Sequence, residues 1–200
     1  MLFQSLNLNS AILQALTAAG YTDPTPVQAK AIPEAIAGHD LMCSAPTGTG
    51  KTAAFVLPAL QRLAQPAKPG RGPRVLVLTP TRELALQVTT AVEKYSKFMP
   101  RVRTGTVLGG MPYPKQRRLL ESPLDILVAT PGRLIDFIDQ GKVDFSRLEL
   151  LVLDEAYVEY ATLGGIESGL PWLADQPNLV VVRTFSKGFG LAVARIGYAI

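Results

Sequence analysis

The plainest chemistry in this chain lies in Ala45-Pro46-Thr47-Gly48-Thr49-Gly50-Lys51-Thr52, directly behind the apolar run 41–44 and at the start of a helical pattern. A cradle for polyphosphate needs backbone N–H groups turned inward, so glycines belong where a Cβ would block the approach, and Gly48 and Gly50 stand there. Lys51 can then reach the β- and γ-phosphates and Thr52 can put its hydroxyl on Mg²⁺, while the helix start adds the positive end of its dipole. The strict pattern opens on a glycine where this chain has Ala45; the Gly-Thr-Gly-Lys-Thr core and its strand-loop-helix setting are intact. The expected ligand is a nucleoside triphosphate with Mg²⁺. Asp154 and Glu155 end a second apolar run. Alone they would be an ordinary acid pair, but facing a phosphate loop they supply what metal-assisted phosphoryl transfer requires.

These residues need elements to hold them. A helix capped by Asn9 or Ser10 is predicted over 11–19, closed by Gly20, and a second over 27–37. From there apolar runs at 41–44, 75–79, 102–108, 125–129 and 148–153 alternate with helical stretches at 52–64, 82–98, 114–120 and 132–139. Strands apolar on both faces, alternating with helices, predict an α/β fold with a doubly wound, mostly parallel sheet in three layers, α/β/α. Ligand loops in such folds sit at the carboxyl ends of the strands. The Pro-, Gly- and base-rich stretch 65–73 reads as a surface loop.

The bulk numbers narrow the class. Two hundred residues, 48% of them hydrophobic, can bury a full core. No basic-then-apolar leader opens the chain and no run approaches the roughly 18 apolar residues that span a bilayer, so a cytoplasmic protein without membrane contact is expected. Cys43 is the single cysteine, which rules out an internal disulfide and suits a reducing compartment. It reads as a small packed residue, and the lone His39 as a surface turn residue. Net charge is +4, but residues 62–118 carry twelve Lys and Arg against Glu83 and Glu93, a footprint for a polyanion.

Further motifs fall in a fixed order around the phosphate loop. Phe3 stands seventeen residues before Gly20-Tyr21-Thr22-Asp23-Pro24-Thr25-Pro26-Val27-Gln28; after the loop come Pro80-Thr81-Arg82-Glu83-Leu84-Ala85, Gly109-Gly110, Thr130-Pro131-Gly132-Arg133 and Leu151-Val152-Leu153-Asp154-Glu155-Ala156. Over residues 1–156 the chain resembles the first RecA-like lobe of a DEAD-box RNA helicase. The resemblance implies that Gln28 reads the adenine of ATP with Phe3 and Tyr21 packed nearby. It implies that Ala45, Thr47, Gly48, Thr49, Gly50, Lys51 and Thr52 hold the phosphates, that Thr52 and Asp154 hold Mg²⁺, and that Glu155 handles the attacking water, with Lys51 as its catalytic partner. Pro80, Thr81, Arg82, Gly110, Thr130 and Arg133 would grip an RNA backbone without reading sequence. Arg82 and Arg133 each open a predicted helix, where a cation opposes the dipole; either a nearby anion or a salt bridge would explain that cost.

After Ala156 the helicase pattern calls for a second aspartate and the chain has Tyr157. The landmarks that follow are Val180-Val181-Val182-Arg183-Thr184-Phe185-Ser186-Lys187-Gly188 and Ala194-Arg195-Ile196-Gly197-Tyr198. Residues 150–200 are similar to the middle of a histidinol-phosphate aminotransferase, a fold-type I pyridoxal-phosphate (PLP) enzyme. That resemblance implies an alternative cofactor site: Asp154 on the pyridinium nitrogen, Tyr157 on the ring oxygen, Lys187 bound to the cofactor, Ser186 and Arg195 on its phosphate. The two patterns overlap at Asp154-Glu155-Ala156, so a chimera joined there is expected. Its parts would be a RecA-like lobe, 1–156, and an aminotransferase-like segment, 157–200, in the same domain. In that segment a helix at 166–174 and a strand at 179–184 would replace one βαβ unit by another, and 196–200 would add a last strand. The expectation is ATP binding with weak RNA affinity and at most slow ATP hydrolysis. Complete helicase or aminotransferase activity, each of which needs parts not in these residues, is not expected, and an inactive scaffold is a further alternative. Nothing in the sequence fixes an oligomeric state.

Overall fold

In the computed structural model, residues 2–39, 41–46, 48–155 and 179–183 are described. Local sequence explains most helix boundaries. After a short 3-10 turn over Phe3–Leu6, the Asn9 side chain accepts from Ala11 N at 2.9 Å and opens α1, Ser10–Ala18. Thr25 and Gln28 form a reciprocal capping box at the start of α2, Pro26–Ala37, with proline at its first position. The strand β1, Leu41–Ser44, leads into α3, Lys51–Leu63. Then come β2, Val75–Leu78, and α4, Arg82–Tyr95, capped by Thr81; β3, Thr104–Val107, and α5, Tyr113–Glu121; β4, Ile126–Ala129, and α6, Pro131–Asp139; and β5, Leu150–Asp154, and β6, Leu179–Arg183.

Among the described residues, six strands form one parallel sheet in the order β1-β6-β5-β2-β4-β3. Side chains alternate between two apolar layers, as a period of two requires. Val75, Val77, Ile126, Val128, Val152 and Val180 join Leu16, Leu57, Leu60, Val88 and Val92 of α1, α3 and α4. Leu76, Leu127 and Ala129 join Leu134 and Phe137 of α6, with Leu119 and Leu120 of α5 packed against them. The three-layer α/β/α architecture follows directly from strands that are apolar on both faces. Phe137 is fully buried, a contribution of about 1.5–3 kcal/mol.

β6 fills the position between β1 and β5, pairing Val180 with Leu41 on one side and with Val152 on the other. The strand expected at 179–184 is therefore a central member of the sheet. The helix expected at 166–174 and the strand at 196–200 lie outside the described residues. Helix α4 ends at Tyr95, three residues short of the expected end, because Phe98 is 38% exposed and Ser96 caps the turn by donating its N–H to Val92 O. β3 starts at Thr104 because Arg103 gives its N–H to the Asp125 carboxylate.

One expectation about charge needs correction. Arg74, counted above in a basic surface, is 4% exposed and paired with Glu149, also buried. Its Nε donates to Glu149 Oε1 at 2.7 Å and its Nη2 to Oε2 at 3.0 Å. The remaining donors cap the end of α3, reaching the carbonyls of Arg62 at 3.0 Å, Leu63 at 3.2 Å and Gln65 at 3.1 Å. Arg62 in turn donates to the Glu149 carbonyl. Among the described residues no helix is long and apolar enough to cross a membrane.

Candidate nucleotide and nucleic-acid site

The parallel sheet brings the motif loops to one edge. The phosphate loop follows β1, Pro80-Thr81 follows β2, Gly109-Gly110 follows β3, Thr130 follows β4 and Glu155 follows β5. Each leaves the carboxyl end of its strand, where open α/β sheets bind ligands.

In the phosphate loop Gly48 and Gly50 both have φ of +84°, a region that L side chains avoid. A Cβ on Gly48 would meet nothing within 4 Å, so the loop is open there, whereas one on Gly50 would lie 2.2 Å from Gln28 Nε2. Thr49 closes the turn by donating its hydroxyl to Pro46 O at 2.7 Å. Lys51 folds back over the loop, donating to the carbonyls of Ala45 and Pro46. Burial pushes its ammonium down to about 8, against the upward pull of the Asp154 carboxylate nearby. Lysine, loop and strand-end carboxylate thus share one neighbourhood. Thr52 stands in the first turn of α3 and Asp154 is the last residue of β5. A hydroxyl and a carboxylate, completed by phosphate oxygens and water, form the hard-oxygen donor set that suits Mg²⁺. No group of three His, Cys, Asp or Glu that could hold a metal occurs among the described residues. Thr47 lies outside them.

Gln28 is 6% exposed, and both ends of its amide are engaged. Oε1 accepts from Thr25 N at 3.0 Å and Nε2 donates to Gly50 O at 3.1 Å. The same side chain that caps α2 therefore fastens that helix to the phosphate loop. Phe3 and Tyr21, expected to pack near a purine, differ in exposure, Tyr21 being 41% exposed. Phe3 is 3% exposed within the core and offers no open ring face. Tyr21 accepts from Lys94 Nζ at 3.0 Å and leans its ring on Tyr95 of α4, and the Lys94 hydrogen bond lowers its phenol pKa.

The second group of motif residues converges on the loop after β3. Arg82 is exposed at the start of α4, and its guanidinium lies where a Cβ on Gly110 would be, 2.8 Å away. Thr130 accepts from Gly109 N at 3.4 Å. Arg133 donates to Met111 O at 2.9 Å, stands over the Tyr113 ring at 5.0 Å and pairs with Asp136 at 3.7 Å. For Arg133 the opposed helix dipole is thus answered by an acid on its own helix. Pro80 is exposed beside the Thr81 cap. Tyr157, Ser186, Lys187 and Arg195, the remaining members of the alternative cofactor site, lie outside the described residues.

Sequence reading missed Gln116. It is the buried residue of α5, 5% exposed between the exposed Lys115 and Arg117. The available signal was its spacing: Leu119 and Leu120 follow at i+3 and i+4, which puts Gln116 on the inward face.

Comparison with known proteins decides the family. The DEAD/DEAH box helicase model matches residues 25–158. The chain belongs to the DEAD/DEAH box helicase family. Its described sheet and helices are the RecA-like α/β fold of that family. ATP-dependent RNA helicase DeaD of Escherichia coli (strain K12) is 43% identical over 194 residues, 97% of this chain and 30% of the relative. ATP-dependent RNA helicase SrmB of the same strain is 46% identical over 155 residues, 77% of this chain and 35% of SrmB. DEAD-box ATP-dependent RNA helicase 28 of Arabidopsis thaliana shows 46% identity over the same length, 20% of that protein. The chain spans about a third or less of these DEAD-box relatives. A second model, aminotransferase class I and II, matches residues 147–200 and overlaps the helicase match at 147–158.

Proposed function

We propose that this chain is a Mg-ATP-binding helicase lobe that holds an RNA backbone weakly and without sequence preference. The observation that carries the reading is the half-buried Lys51 over an open glycine loop with the Asp154 carboxylate beside it. In this reading Gly48, Thr49 and Gly50 present backbone N–H groups to the phosphates, and Ala45 and Thr47 complete the loop. Gln28, its amide held between Thr25 N and Gly50 O, meets the adenine edge with the one acceptor site and one N–H those bonds leave; Lys51 neutralises the terminal phosphate, and Glu155 orients the attacking water and takes its proton. Thr52 and Asp154 hold Mg²⁺, which when bound draws charge from the phosphate oxygens. Pro80, Thr81, Arg82, Gly110, Thr130 and Arg133 meet phosphate and sugar groups on the loops beside it. On its own the lobe hydrolyses ATP slowly, because an arginine finger from a second lobe is worth on the order of 10³–10⁵ in rate.

The deciding experiment is an equilibrium titration with a fluorescent ATP analogue and Mg²⁺, repeated on Lys51→Ala. Saturable binding that disappears in the variant is expected; a folded wild-type chain that ignores the analogue overturns the reading. The same titration has a pH signature. Polyphosphate favours charged Lys51, so affinity is level below about pH 8. Above it affinity falls by about tenfold per pH unit, until the lysine's higher pKa in the complex is reached. A flat profile from pH 7 to 10 would show that Lys51 does not meet the phosphates.

The aminotransferase match at 147–200 favours a second reading of the C-terminal residues, as a chimeric segment whose Lys187 binds PLP with Asp154, Tyr157, Ser186 and Arg195 around it. Its test is the near-visible absorbance of the chain mixed with PLP. A band that vanishes in Lys187→Ala supports it, and none above that of a lysine-rich control protein refutes it.

A further inference from the structure

The loop after β3 is held from beneath by one buried amide. Gln116 Oε1 accepts from Leu108 N at 2.6 Å, and its Nε2 donates to Leu108 O and to Met111 O, each at 3.2 Å. Three of the hydrogen bonds an amide can make are thus given to the two residues that bracket Gly109-Gly110. An apolar side chain would be the ordinary occupant of this site, since Leu119 and Leu120 of the same helix already pack on the sheet. A buried amide is retained at a desolvation cost that only matched partners offset, and here the partners are the backbone of one short loop.

That loop is where the three motif side chains meet. Gly110, with φ of +73°, leaves room for the Arg82 guanidinium; Gly109 N reaches Thr130; and the Met111 carbonyl that Gln116 holds also receives Arg133 Nη1 at 2.9 Å. Gln116 therefore acts on Arg133 through a shared acceptor and on Gly109-Gly110 through their neighbours on either side. At 5% exposure it cannot itself reach a nucleic acid.

We propose that Gln116 is a positioning residue for the RNA grip, fixing the Gly109-Gly110 backbone and the Arg133 guanidinium in one arrangement that matches a sugar-phosphate backbone. This rests on the RNA-backbone reading of the surface given above. Two variants test it. Gln116→Leu keeps the bulk and removes every polar contact. Gln116→Glu keeps the acceptor for Leu108 N and regains a donor for the carbonyls only when its carboxyl is protonated.

Binding of a fluorescein-labelled oligouridylate is followed by anisotropy across a salt series and from pH 5 to 8. Fluorescent ATP-analogue binding and amide hydrogen exchange at 108–111 are measured alongside. Gln116→Leu is expected to weaken RNA binding at least tenfold. The slope of log affinity against log salt should flatten by about 0.7, the value of one lost phosphate contact on a single strand. Exchange at 108–111 rises, and analogue affinity is unchanged. Gln116→Glu is expected to be weak at pH 8 and to recover towards wild type as the pH falls, with no such recovery in Gln116→Leu. Wild-type RNA affinity and loop exchange in Gln116→Leu overturn the proposal, as does an equal loss of RNA and analogue affinity in a chain of lowered melting temperature. A wild-type chain that binds no oligouridylate at any salt overturns the RNA reading itself, whatever the exchange data show at Gln116.

Discussion

Glu149→Ala lowers the stability of this chain by about 3–5 kcal/mol, the loss seen when one partner of a buried ion pair is removed. The pair joins residues 75 positions apart, Arg74 before β2 and Glu149 before β5, and both side chains lie almost wholly out of water. Deleting the carboxylate leaves a buried guanidinium that the carbonyls of Arg62, Leu63 and Gln65 can solvate but not neutralise. Arg74→Met is expected to cost as much, since it strands the Glu149 carboxylate and uncaps α3 together. The double change Arg74→Met with Glu149→Leu should recover a large part of the loss, because no charge then remains unpaired. Urea unfolding of the four chains, with midpoints compared at equal slope, measures this; single variants within 1 kcal/mol of wild type would refute it.

The pair also sets an acid limit on the fold. Burial raises the Glu149 carboxyl, but the Arg74 hydrogen bond and charge, helped by the Lys68 N–H and the Arg62 charge, more than offset it and hold the pKa below the ordinary value. A depressed folded-state pKa contributes stability that is present above the unfolded value and is lost as pH falls through the folded one. The wild-type chain should therefore lose stability below about pH 4 by an increment that Glu149→Ala lacks.

Gly50→Ala is the second large effect, at about 2–4 kcal/mol. A left-handed backbone costs a non-glycine residue roughly 1–2 kcal/mol. The added Cβ would also sit 2.2 Å from Gln28 Nε2, so Gln28 must leave the Gly50 carbonyl, and with it the capping box of α2. Gly48→Ala is the internal control. It has the same φ of +84° but open space around the new Cβ, and should cost only the backbone share, about 1 kcal/mol. Thermal melts without nucleotide separate the two, and equal losses would mean that the Gln28 contact contributes nothing.

What could be read from sequence was what is local. The phosphate loop, the cap at Asn9 and the alternating strands are each written in fewer than ten consecutive residues. A further parallel strand at 179–184 was expected too, because both resemblances continue the acid-ended strand with a helix and another strand. Arg74 was misread as a surface charge since its partner lies 75 residues on, and no window shows a pairing at that distance. Gln116 was passed over because its neighbours Lys115, Arg117 and Arg118 make the helix look polar all round. The contacts of Tyr21 were not legible, since Lys94 and Tyr95 of α4, on which its side chain rests, lie far away in sequence.

The last described strand is inserted between the edge strand β1 and β5, and synthesis makes that a matter of timing. When the ribosome has released residues up to 155, β1 and β5 face each other across a slot about 9–10 Å wide, each with an unpaired edge. Such a nascent chain is a strand acceptor, open to any extended apolar segment, including residues 179–183 of a sister chain on the same polysome. Only when its own Leu179–Arg183 emerges does the slot close. A peptide of that sequence supplied in trans should therefore rescue a chain halted at 155.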